Sequence, residues 1–298
     1  MVFGKRYIGE GKMNISAVYV TYHPDVQYLA MSVERVLPQV QNVIVVDNSD
    51  TLEDQKKVQA IASQNVIVLT QGSNIGIAAA LNIGCKEAIR LGADWCLTLD
   101  QDSIVPGSMV AEYAAYVAAN GTKEIGALGP MFKFCPEDVL PSDGRVVEAK
   151  TLITSGCCIN LQAFQEVGGF KENLFIDAVD TEYSWNLRKN GYHLLQFHAL
   201  ILEHHLGNHP FHIRIFGKRI MTITNHNALR YYYISRNSKK ISEDYRKVFP
   251  DEAAAYRIKG IKQAIIVILF EKNKMEKLYM IHKGTQDYRK GRMGKYGG

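Results

Sequence analysis

The sequence predicts an α/β protein with a Rossmann-like, mostly parallel sheet that carries helices on both faces. Three continuous apolar runs, each too short for a helix, indicate buried parallel strands at residues 42–46, 65–69 and 95–99. Another β-rich run at residues 14–22 precedes a segment with helical apolar spacing at residues 26–36. Strands that alternate with helices imply βαβ units with right-handed crossovers. We therefore expect a sheet that is covered on both faces.

The second part of the chain follows a different pattern. Glycine and proline interrupt shorter strand-like runs, which predict a smaller mixed sheet from residues 125–134, 145–147, 154–160 and 194–202. Two short helices, each ended by glycine, are expected at residues 161–167 and 181–189. From about residue 222 the sequence becomes helical and basic, which predicts a C-terminal helical extension over residues 222–298.

The composition indicates a globular protein in a reducing compartment. Of the 298 residues, 47% are apolar, which is ample for a core. The five cysteines are odd in number and show no CxxC spacing, so we expect them to be reduced. The N-terminal region has no apolar signal-peptide core, and the apolar run at residues 264–270 is too short to cross a bilayer. These features predict a cytoplasmic protein without a transmembrane anchor.

The positive charge is concentrated near the C-terminus. From Arg236 onward there are 16 Lys and Arg residues and seven Asp and Glu residues, out of 35 and 30 in the whole chain. Residues 259–278 also combine lysines with apolar residues at helical spacing. A basic, amphipathic extension favours an anionic partner, such as a membrane surface, nucleic acid or an anionic lipid-linked substrate. The alternative is a solvated helical face.

Two carboxylates follow the strand at residues 95–99. Asp100 and Asp102 are two residues apart in extended chain, so their side chains point the same way and can converge on one hard cation. Mg²⁺ and Mn²⁺ suit such a pair together with substrate phosphates, and ligands of open α/β sheets bind at the carboxyl ends of the strands. The alternative is a solvated turn or a helix cap.

Further polar residues lie in the loops after the neighbouring strands. Asp47 follows a buried strand and can accept hydrogen bonds from a ribose hydroxyl or a base N–H, or it can form an Asx turn. Asn74 and Gly76 either begin a helix beside a nucleotide or form a simple loop and cap. The segment lacks both GxGxxG and GxxxxGK[ST], which disfavours dinucleotide-binding and P-loop proteins.

Additional acids and imidazoles occur in the second part of the chain. Asp177, Asp180 and Glu182 precede or begin a helix that carries Arg188. A carboxylate there either caps the helix or, beside an apolar wall, serves as a general base. His204 lies just after a strand, where an imidazole is either structural or a third metal ligand.

The order of these segments carries a resemblance to a known family. The motifs that carry it are VTYHP, VVDNS, GSNIGIAAALNIG, LTLDQDS, TSGCCIN, GGFKENLFIDAVDTEYSWNLRKNGY, EHHLGN and RYYYISRNS. With these motifs the sequence resembles the inverting family 2 glycosyltransferases of GT-A fold, and within them the bacterial rhamnosyltransferases, over about residues 14–240. The resemblance implies a catalytic domain at residues 1–221, with a nucleotide-binding half at 14–105 and an acceptor half at 106–221.

The resemblance also implies roles for individual residues. The nucleotide pocket is expected to contain Thr21, Tyr22, His23, Asp47 and Asn74. The expected metal ligands are Asp100, Asp102 and His204, which matches the family's HxxG histidine better than His205 does. Asp180 is expected to be the catalytic base, with Asp177 as the alternative because the family's preceding Glu is Val179 here. Further substrate contacts are expected from Asp100, Glu182 and Arg188. The segment at residues 230–237 resembles a subgroup motif without an assigned role.

The implied activity is the transfer of L-rhamnose from dTDP-L-rhamnose, with inversion and with Mn²⁺ or Mg²⁺. The acceptor is expected to be a hydroxyl of a glycan or of a polyprenyl-pyrophosphate-linked saccharide, in bacterial surface polysaccharide synthesis at the inner face of the membrane. UDP-galactofuranose or a UDP-hexose is the alternative donor, and a non-catalytic binding scaffold is the alternative function. A nucleotidyltransferase is disfavoured, because VTYHPDV is not a glycine-rich basic loop. No nucleic-acid partner is expected, and the sequence leaves the oligomeric state open.

Overall fold

The computed structural model describes residues 13–134, 138, 140–141, 143–203, 211–215, 218–223 and 225–297. The first half alternates strands and helices in the order β1 (Ile15–Thr21), α1 (Val26–Val36), β2 (Asn42–Asp47), α2 (Leu52–Gln59), β3 (Val66–Thr70), α3 (Ile77–Arg90), β4 (Trp95–Asp100) and α4 (Met109–Asn120). The predicted βαβ rhythm is therefore confirmed.

Shorter strands and two helices follow, and then a hairpin and three longer helices. Their bounds are β5 (Ile125–Lys133), β6 (Val146–Glu148), β7 (Cys157–Asn160), α5 (Leu161–Val167), α6 (Val179–Lys189), β8 (His193–Glu203), β9 (Phe211–Ile215), β10 (Lys218–Ile223), α7 (Ala228–Tyr245), α8 (Pro250–Phe270) and α9 (Lys274–Arg289). The domain boundary expected after residue 221 falls within β10.

Eight of the strands form a single mixed sheet in the order β3-β2-β1-β4-β7-β5-β8-β6. Strands β1 to β4 pair in parallel, whereas β7 is antiparallel to both β4 and β5. The shorter strands therefore continue the parallel sheet instead of forming a separate one, because β7 joins the two halves. The separate second sheet among the described residues is the hairpin of β9 and β10.

Alternate residues of the strands enter two cores on opposite faces of the sheet. Val18 and Ile44 pack with residues of α3 such as Leu81, whereas Tyr19 and Val45 pack in the other core, which also contains residues of α1 and α4. This arrangement confirms helices on both faces. Parallel pairing also aligns Thr21 with Asp47, and Val20 with Asp100, at the carboxyl ends of the strands. The predicted polar loops consequently meet at one edge of the sheet.

The three C-terminal helices pack on one another and on α6. Trp185 of α6 contacts the rings of Tyr245, Phe249 and Tyr256. A Cβ on Gly284 would lie 2.3 Å from the carbonyl oxygen of Tyr232, so glycine allows α9 to approach the backbone of α7 closely. The C-terminal extension is therefore an integral part of the fold rather than a detached tail.

Two further expectations concern cysteines and membrane spans. Cys85, Cys96, Cys157 and Cys158 are free and buried, as the reduced state requires, and Cys135 lies outside the described residues. None of the described helices combines the length and apolar character of a transmembrane span.

Candidate active site

A cleft of about 850 Å³ opens at the carboxyl ends of the parallel strands, between the sheet and the C-terminal helices. This is the place where open α/β sheets bind their ligands. It brings together seven of the residues that the sequence predicted, namely Thr21, Tyr22, Asn74, Asp100, Asp102, Asp177 and Asp180.

Beside the cleft, the ends of β1 and β2 carry a buried carboxylate with an unused oxygen. Oδ1 of Asp47 accepts hydrogen bonds from the Thr21 hydroxyl at 2.9 Å and from the backbone N–H and hydroxyl of Ser49. Oδ2 of Asp47 and Oδ1 of the neighbouring Asn48 are buried and accept no hydrogen bond within the described part of the chain. Buried acceptors without donors are costly, so a ligand that brings N–H or O–H groups fits here.

The loop after β3 is tied to the loop that carries the later acids. Oδ1 of Asn74 accepts a hydrogen bond from the N–H of Gly76, which has φ of +90°. A Cβ on Gly76 would lie 2.6 Å from the Phe175 side chain, so only glycine fits this contact. The next N–H, that of Ile77, donates to the carbonyl oxygen of Phe175. Asn74 lines the cleft, while the first N–H groups before α3 bind protein rather than facing an open anion site.

Three carboxylates share the centre of the cleft. Burial, together with the charges of Asp102 and Asp180 and against the opposing charge of Arg230, raises the pKa of Asp100 to about 7. Asp102 is exposed at the rim, whereas Asp100 and Asp180 are half-buried. The described lining of the cleft holds the carboxylates of Asp100, Asp102, Asp177 and Asp180 beside the guanidinium of Arg230, so a divalent cation would be stabilised there.

The residues present fit a divalent metal that completes its ligands from substrate. Within the described residues no group of three His, Cys, Asp or Glu side chains is arranged to hold a metal ion. Mg²⁺ and Mn²⁺ commonly bind through one or two carboxylates together with substrate phosphates and water. Asp100 and Asp102 provide that pair, while His204 and His205 lie outside the described residues.

The loop before α6 holds its acids on a left-handed backbone. Phe175, Asp177 and Ala178 all have φ between +63° and +67°, a region that non-glycine residues enter at a cost. The side-chain amide of Asn237 donates to the carbonyl oxygens of Leu174, Ile176 and Asp177 at 2.8–3.0 Å. These bonds fasten the loop to α7.

The neighbouring Arg236 strengthens this attachment. Its guanidinium is fully buried and donates to the carbonyl oxygens of Leu174 and Gly294. It also lies over the rings of Tyr232 and Tyr233 at 5.3 and 5.1 Å, which stabilises the buried cation. We call the segment at residues 174–178 the acid loop; it is held by α7 and, through Arg236, is linked to Gly294.

The two candidate bases have different environments. Asp177 forms an ion pair with the guanidinium of Arg230 at 3.1 Å. Asp180 lies in the first turn of α6, whose N-cap is Ala178, and its Oδ1 accepts a hydrogen bond from the N–H of Thr181. Asp180 is therefore not the N-cap residue of the helix, and its carboxylate lines the cleft.

The structure places three predicted site residues away from the cleft. His23 lies between Asp50 and Asp54 on the surface, at 2.9 and 2.6 Å. Glu182 is buried against the hydroxyl of Tyr245, because residues two apart on a helix point about 200° apart and Asp180 faces the cleft. We therefore leave His23 and Glu182 out of the candidate site.

Arg188 is the third of these residues. Its guanidinium bonds to Glu252 at 3.1 Å and lies 4.2 Å from the centre of the Phe249 ring. It is more than two turns beyond Asp180, and it fastens α6 to the beginning of α8. The arginine therefore supports the packing of the C-terminal helices and does not reach a substrate in the cleft.

Several cleft residues were not assigned a role from sequence. Arg230 faces the acids from α7, Asn48 follows Asp47, and Tyr256 and Gln263 line the wall from α8. The segment at residues 230–237 matched a subgroup motif, which was the available signal for Arg230. Nothing local in the sequence connects α8 with the cleft, because the contact depends on how the C-terminal helices pack.

Comparison with a curated protein identifies the family. The chain is 31% identical over 244 residues to "dTDP-rhamnosyl transferase RfbF" of Shigella flexneri, a match that covers 76% of this chain and 78% of that protein. The chain belongs to glycosyltransferase family 2. The family profile described as "Glycosyl transferase family 2" matches residues 16–128 of this glycosyltransferase. Its predicted likeness to the bacterial rhamnosyltransferases is thereby confirmed.

Solved structures confirm the GT-A fold of the glycosyltransferase. S. aureus TarS 1-349 in complex with UDP-GlcNAc superimposes with a TM-score of 0.57 at 12% identity, over 94% of this chain and 93% of that one. GalNAc-T7 with UDP, GalNAc and Mn²⁺ superimposes with a TM-score of 0.59 at 14% identity, over 93% of this chain and 55% of that one. At these identities the likeness concerns the fold.

The raised pKa of Asp100 predicts how the stability of the metal-free glycosyltransferase depends on pH. Between its ordinary value of 3.8 and about 7, the folded state holds a proton that the unfolded state has lost. Asp100 therefore lowers the free energy of unfolding as pH rises through this window. We expect the stability gained by Asp100→Asn to grow from pH 4 to pH 7, as measured by urea unfolding with a chelator in every sample.

Asp102→Asn is the matched control for this measurement. Removal of that charge takes away one cause of the raised pKa, so the pH dependence should weaken without disappearing. If wild type and Asp100→Asn keep the same pH dependence, Asp100 does not carry the raised pKa.

The attachment of the acid loop to α7 predicts a selective loss of activity. Asn237→Ala leaves three carbonyl oxygens without their donor, so the free energy of unfolding should fall by about 1–3 kcal/mol. The rate of glycosyl transfer should fall by more than the loss of folded protein accounts for, because the loop also positions the acids. The rate is compared with that of Asn186→Ala, which removes an amide bonded to the carbonyl oxygen of Val167. Equal rates in the two variants would show that the attachment does not position the acids.

Proposed function

We propose that this glycosyltransferase transfers L-rhamnose from dTDP-L-rhamnose to a hydroxyl of a glycan or lipid-linked saccharide, with inversion, in bacterial surface polysaccharide synthesis. The observation that carries the proposal is its similarity over most of both chains to dTDP-rhamnosyl transferase RfbF. The cleft supports it with groups suited to a nucleoside diphosphate sugar: buried acceptors at one end and three carboxylates at the centre.

The nucleoside would bind beside the ends of β1 and β2. Oδ2 of Asp47 and Oδ1 of Asn48 are buried acceptors that suit a base N–H or a ribose hydroxyl. Tyr22 stands at the rim with its hydroxyl on Asp50, and Asn74 lines the opposite loop. Hydrogen bonds from the nucleotide would satisfy the two buried oxygens, which makes binding specific for groups that donate.

The diphosphate would lie toward Asp100 and Asp102. These residues, together with His204 as predicted from the family motif, would hold Mn²⁺ or Mg²⁺, which when bound neutralises the charge of the diphosphate leaving group. The guanidinium of Arg230 adds a fixed positive charge on the same side of the cleft. Its pairing with Asp177 keeps that charge aimed at the acids.

Asp180 is the proposed general base. It would take the proton of the acceptor hydroxyl as the hydroxyl oxygen bonds to the anomeric carbon and the bond from that carbon to the diphosphate oxygen breaks. A single displacement of this kind inverts the configuration and needs no enzyme nucleophile. Oδ1 of Asp177 is engaged by the guanidinium of Arg230, which favours Asp180 as the carboxylate that receives the proton.

The acceptor would enter beside the C-terminal helices. Tyr256 and Gln263 of α8 line the wall of the cleft near Asp180, where a bound saccharide would contact them. We also propose that the protein is cytoplasmic and contacts the anionic inner face of the membrane through its basic C-terminal region, where a lipid-linked acceptor would be found.

Substitution of the proposed base tests the mechanism. Asp180→Asn should lower the rate of transfer by at least about 100-fold, since the general base is lost, while donor affinity changes only a few fold. Asp177→Asn should lower the rate less, and Asp251→Asn, at an exposed position in the first turn of α8, should leave it unchanged. Unchanged turnover in Asp180→Asn, measured with purified acceptor, would assign the base elsewhere.

Thermal unfolding with a panel of nucleotides tests the donor. A ligand that binds the folded protein raises its Tm, so dTDP and dTDP-L-rhamnose should raise it in the presence of Mn²⁺ or Mg²⁺ and less without metal. A larger shift with UDP or UDP-sugars would support the alternative donors. Failure of all nucleotides to raise Tm, with and without metal, would contradict the transferase proposal and favour a binding scaffold.

A further inference from the structure

A second cavity lies between α7, α8 and α9, apart from the cleft. It has a volume of about 450 Å³, and four of the side chains that line it are cationic. We call this cavity the basic groove and define it by Lys239, Arg246, Arg257 and Arg289. On α7 it begins more than two turns beyond Arg230, which lines the cleft.

The positive charges of the basic groove have little compensation. Glu243 is the only acidic residue among the described side chains that line it, and its carboxylate accepts a hydrogen bond from the hydroxyl of Tyr288. Asp244 of α7 bonds to Lys171 and Lys240, and Glu252 of α8 bonds to Arg188 and Lys150. Asp251 is exposed in the first turn of α8 and does not line the groove. The groove is therefore suited to an anion.

Lys239 is the innermost cation of the groove. Its ammonium donates to the backbone carbonyl oxygen and the hydroxyl of Ser235, neither of which is charged. Burial, together with the charges of Arg289 and Arg257, lowers its pKa. An anion bound between these side chains would reduce their mutual repulsion.

An exposed apolar face of α8 adjoins the basic groove. Ile258, Ile261, Ile265, Ile268 and Leu269 are each between 46% and 62% exposed, and their spacing puts them on one side of the helix. We call this face the isoleucine stripe; it extends for about 16 Å along α8. Arg257 of the groove lies one turn before Ile261 on the same side. The opposite side of α8 carries Tyr256 and Gln263 into the cleft.

The charges around the stripe favour a lipid surface over a second copy of the chain. Lys262, Lys272 and Lys274 are exposed beside it, in addition to the four cations of the groove. A symmetric dimer through this face would bring like charges together, which is repulsive. A lipid layer has phosphates at its surface and hydrocarbon beneath, so it complements both the cations and the isoleucine stripe. Helices that lie in the membrane interface show the same combination of an apolar face bordered by lysines.

We propose that the basic groove and the isoleucine stripe together form a docking site for an anionic lipid membrane. Lipid phosphates occupy the groove, and the stripe lies against the acyl region. This inference deepens the membrane contact included in the proposed function, because it assigns that contact to named side chains on the face of α8 that is turned away from the cleft.

Sedimentation of the full-length protein with vesicles tests the docking site. Binding is measured with phosphatidylcholine vesicles, with vesicles that also contain phosphatidylglycerol, and with the latter in the presence of inorganic phosphate. We expect binding to phosphatidylglycerol vesicles that weakens at high salt, and little competition by millimolar phosphate. Strong competition would show a site for free phosphate only and would overturn the lipid proposal.

Two pairs of substitutions separate the groove from the stripe. Arg257→Gln with Arg289→Gln should lower vesicle affinity by roughly 30-fold, the effect expected for two cations at an anionic surface. Ile261→Ser with Ile265→Ser should lower vesicle affinity by about tenfold or more, and should also lower the binding that remains at high salt. The matched controls are Arg35→Gln with Lys86→Gln, and Met31→Ser with Leu52→Ser, at exposed positions on α1, α2 and α3.

A second measurement separates membrane docking from donor binding. It records the Tm shift caused by dTDP-L-rhamnose in the same variants without vesicles. This shift should be unchanged in all four double variants, which also shows that they are folded. Vesicle binding that persists when no nucleotide raises Tm would support the docking site and contradict the donor assignment. Equal vesicle binding by the groove variant, the stripe variant and their controls, or preference for an RNA oligonucleotide over vesicles, would overturn the docking site.

Discussion

Three hydrogen bonds from the side-chain amide of Asn237 hold the backbone on which the candidate acids stand. Left-handed conformations at Phe175, Asp177 and Ala178 are unfavourable on their own, so the hydrogen bonds that α7 and the start of α3 make to its carbonyl groups help this loop to keep its shape. The same loop contacts the turn before α3 through Gly76. These contacts consequently fix the turn before α3, on the proposed nucleotide side of the cleft, relative to the loop that carries the acids.

The cleft has an excess of negative charge before any ligand enters. Asp100, Asp102 and Asp180 repel one another, and Arg230 offsets only part of that charge. A bound cation would stabilise such a site, and the proposed diphosphate donor would bind there together with that cation. In the proposed function, the binding of the donor and that of the metal would depend on each other, because each would supply the charge that the other needs.

The sequence was sufficient for the parallel half of the sheet, where apolar runs end in polar loops and both faces are buried. It was insufficient where a contact depends on distant packing. Arg230 bonds to Asp177, which is 53 residues away in the sequence. Strand β7 joins the two halves of the sheet by pairing antiparallel with both of its neighbours. Glu182 looked like a site residue because it is close to Asp180 in sequence, but helix geometry turns it to Tyr245.

The burial of Arg236 at the junction of α7, the acid loop and the segment around Gly294 links the GT-A unit to the C-terminal helices. Its guanidinium touches Leu174 in the GT-A unit and Gly294 near the last residue, so the two regions share one buried cation. A chimera whose replacement C-terminal helices lack an arginine at this position would take this donor away from the carbonyl oxygen of Leu174 in the GT-A unit.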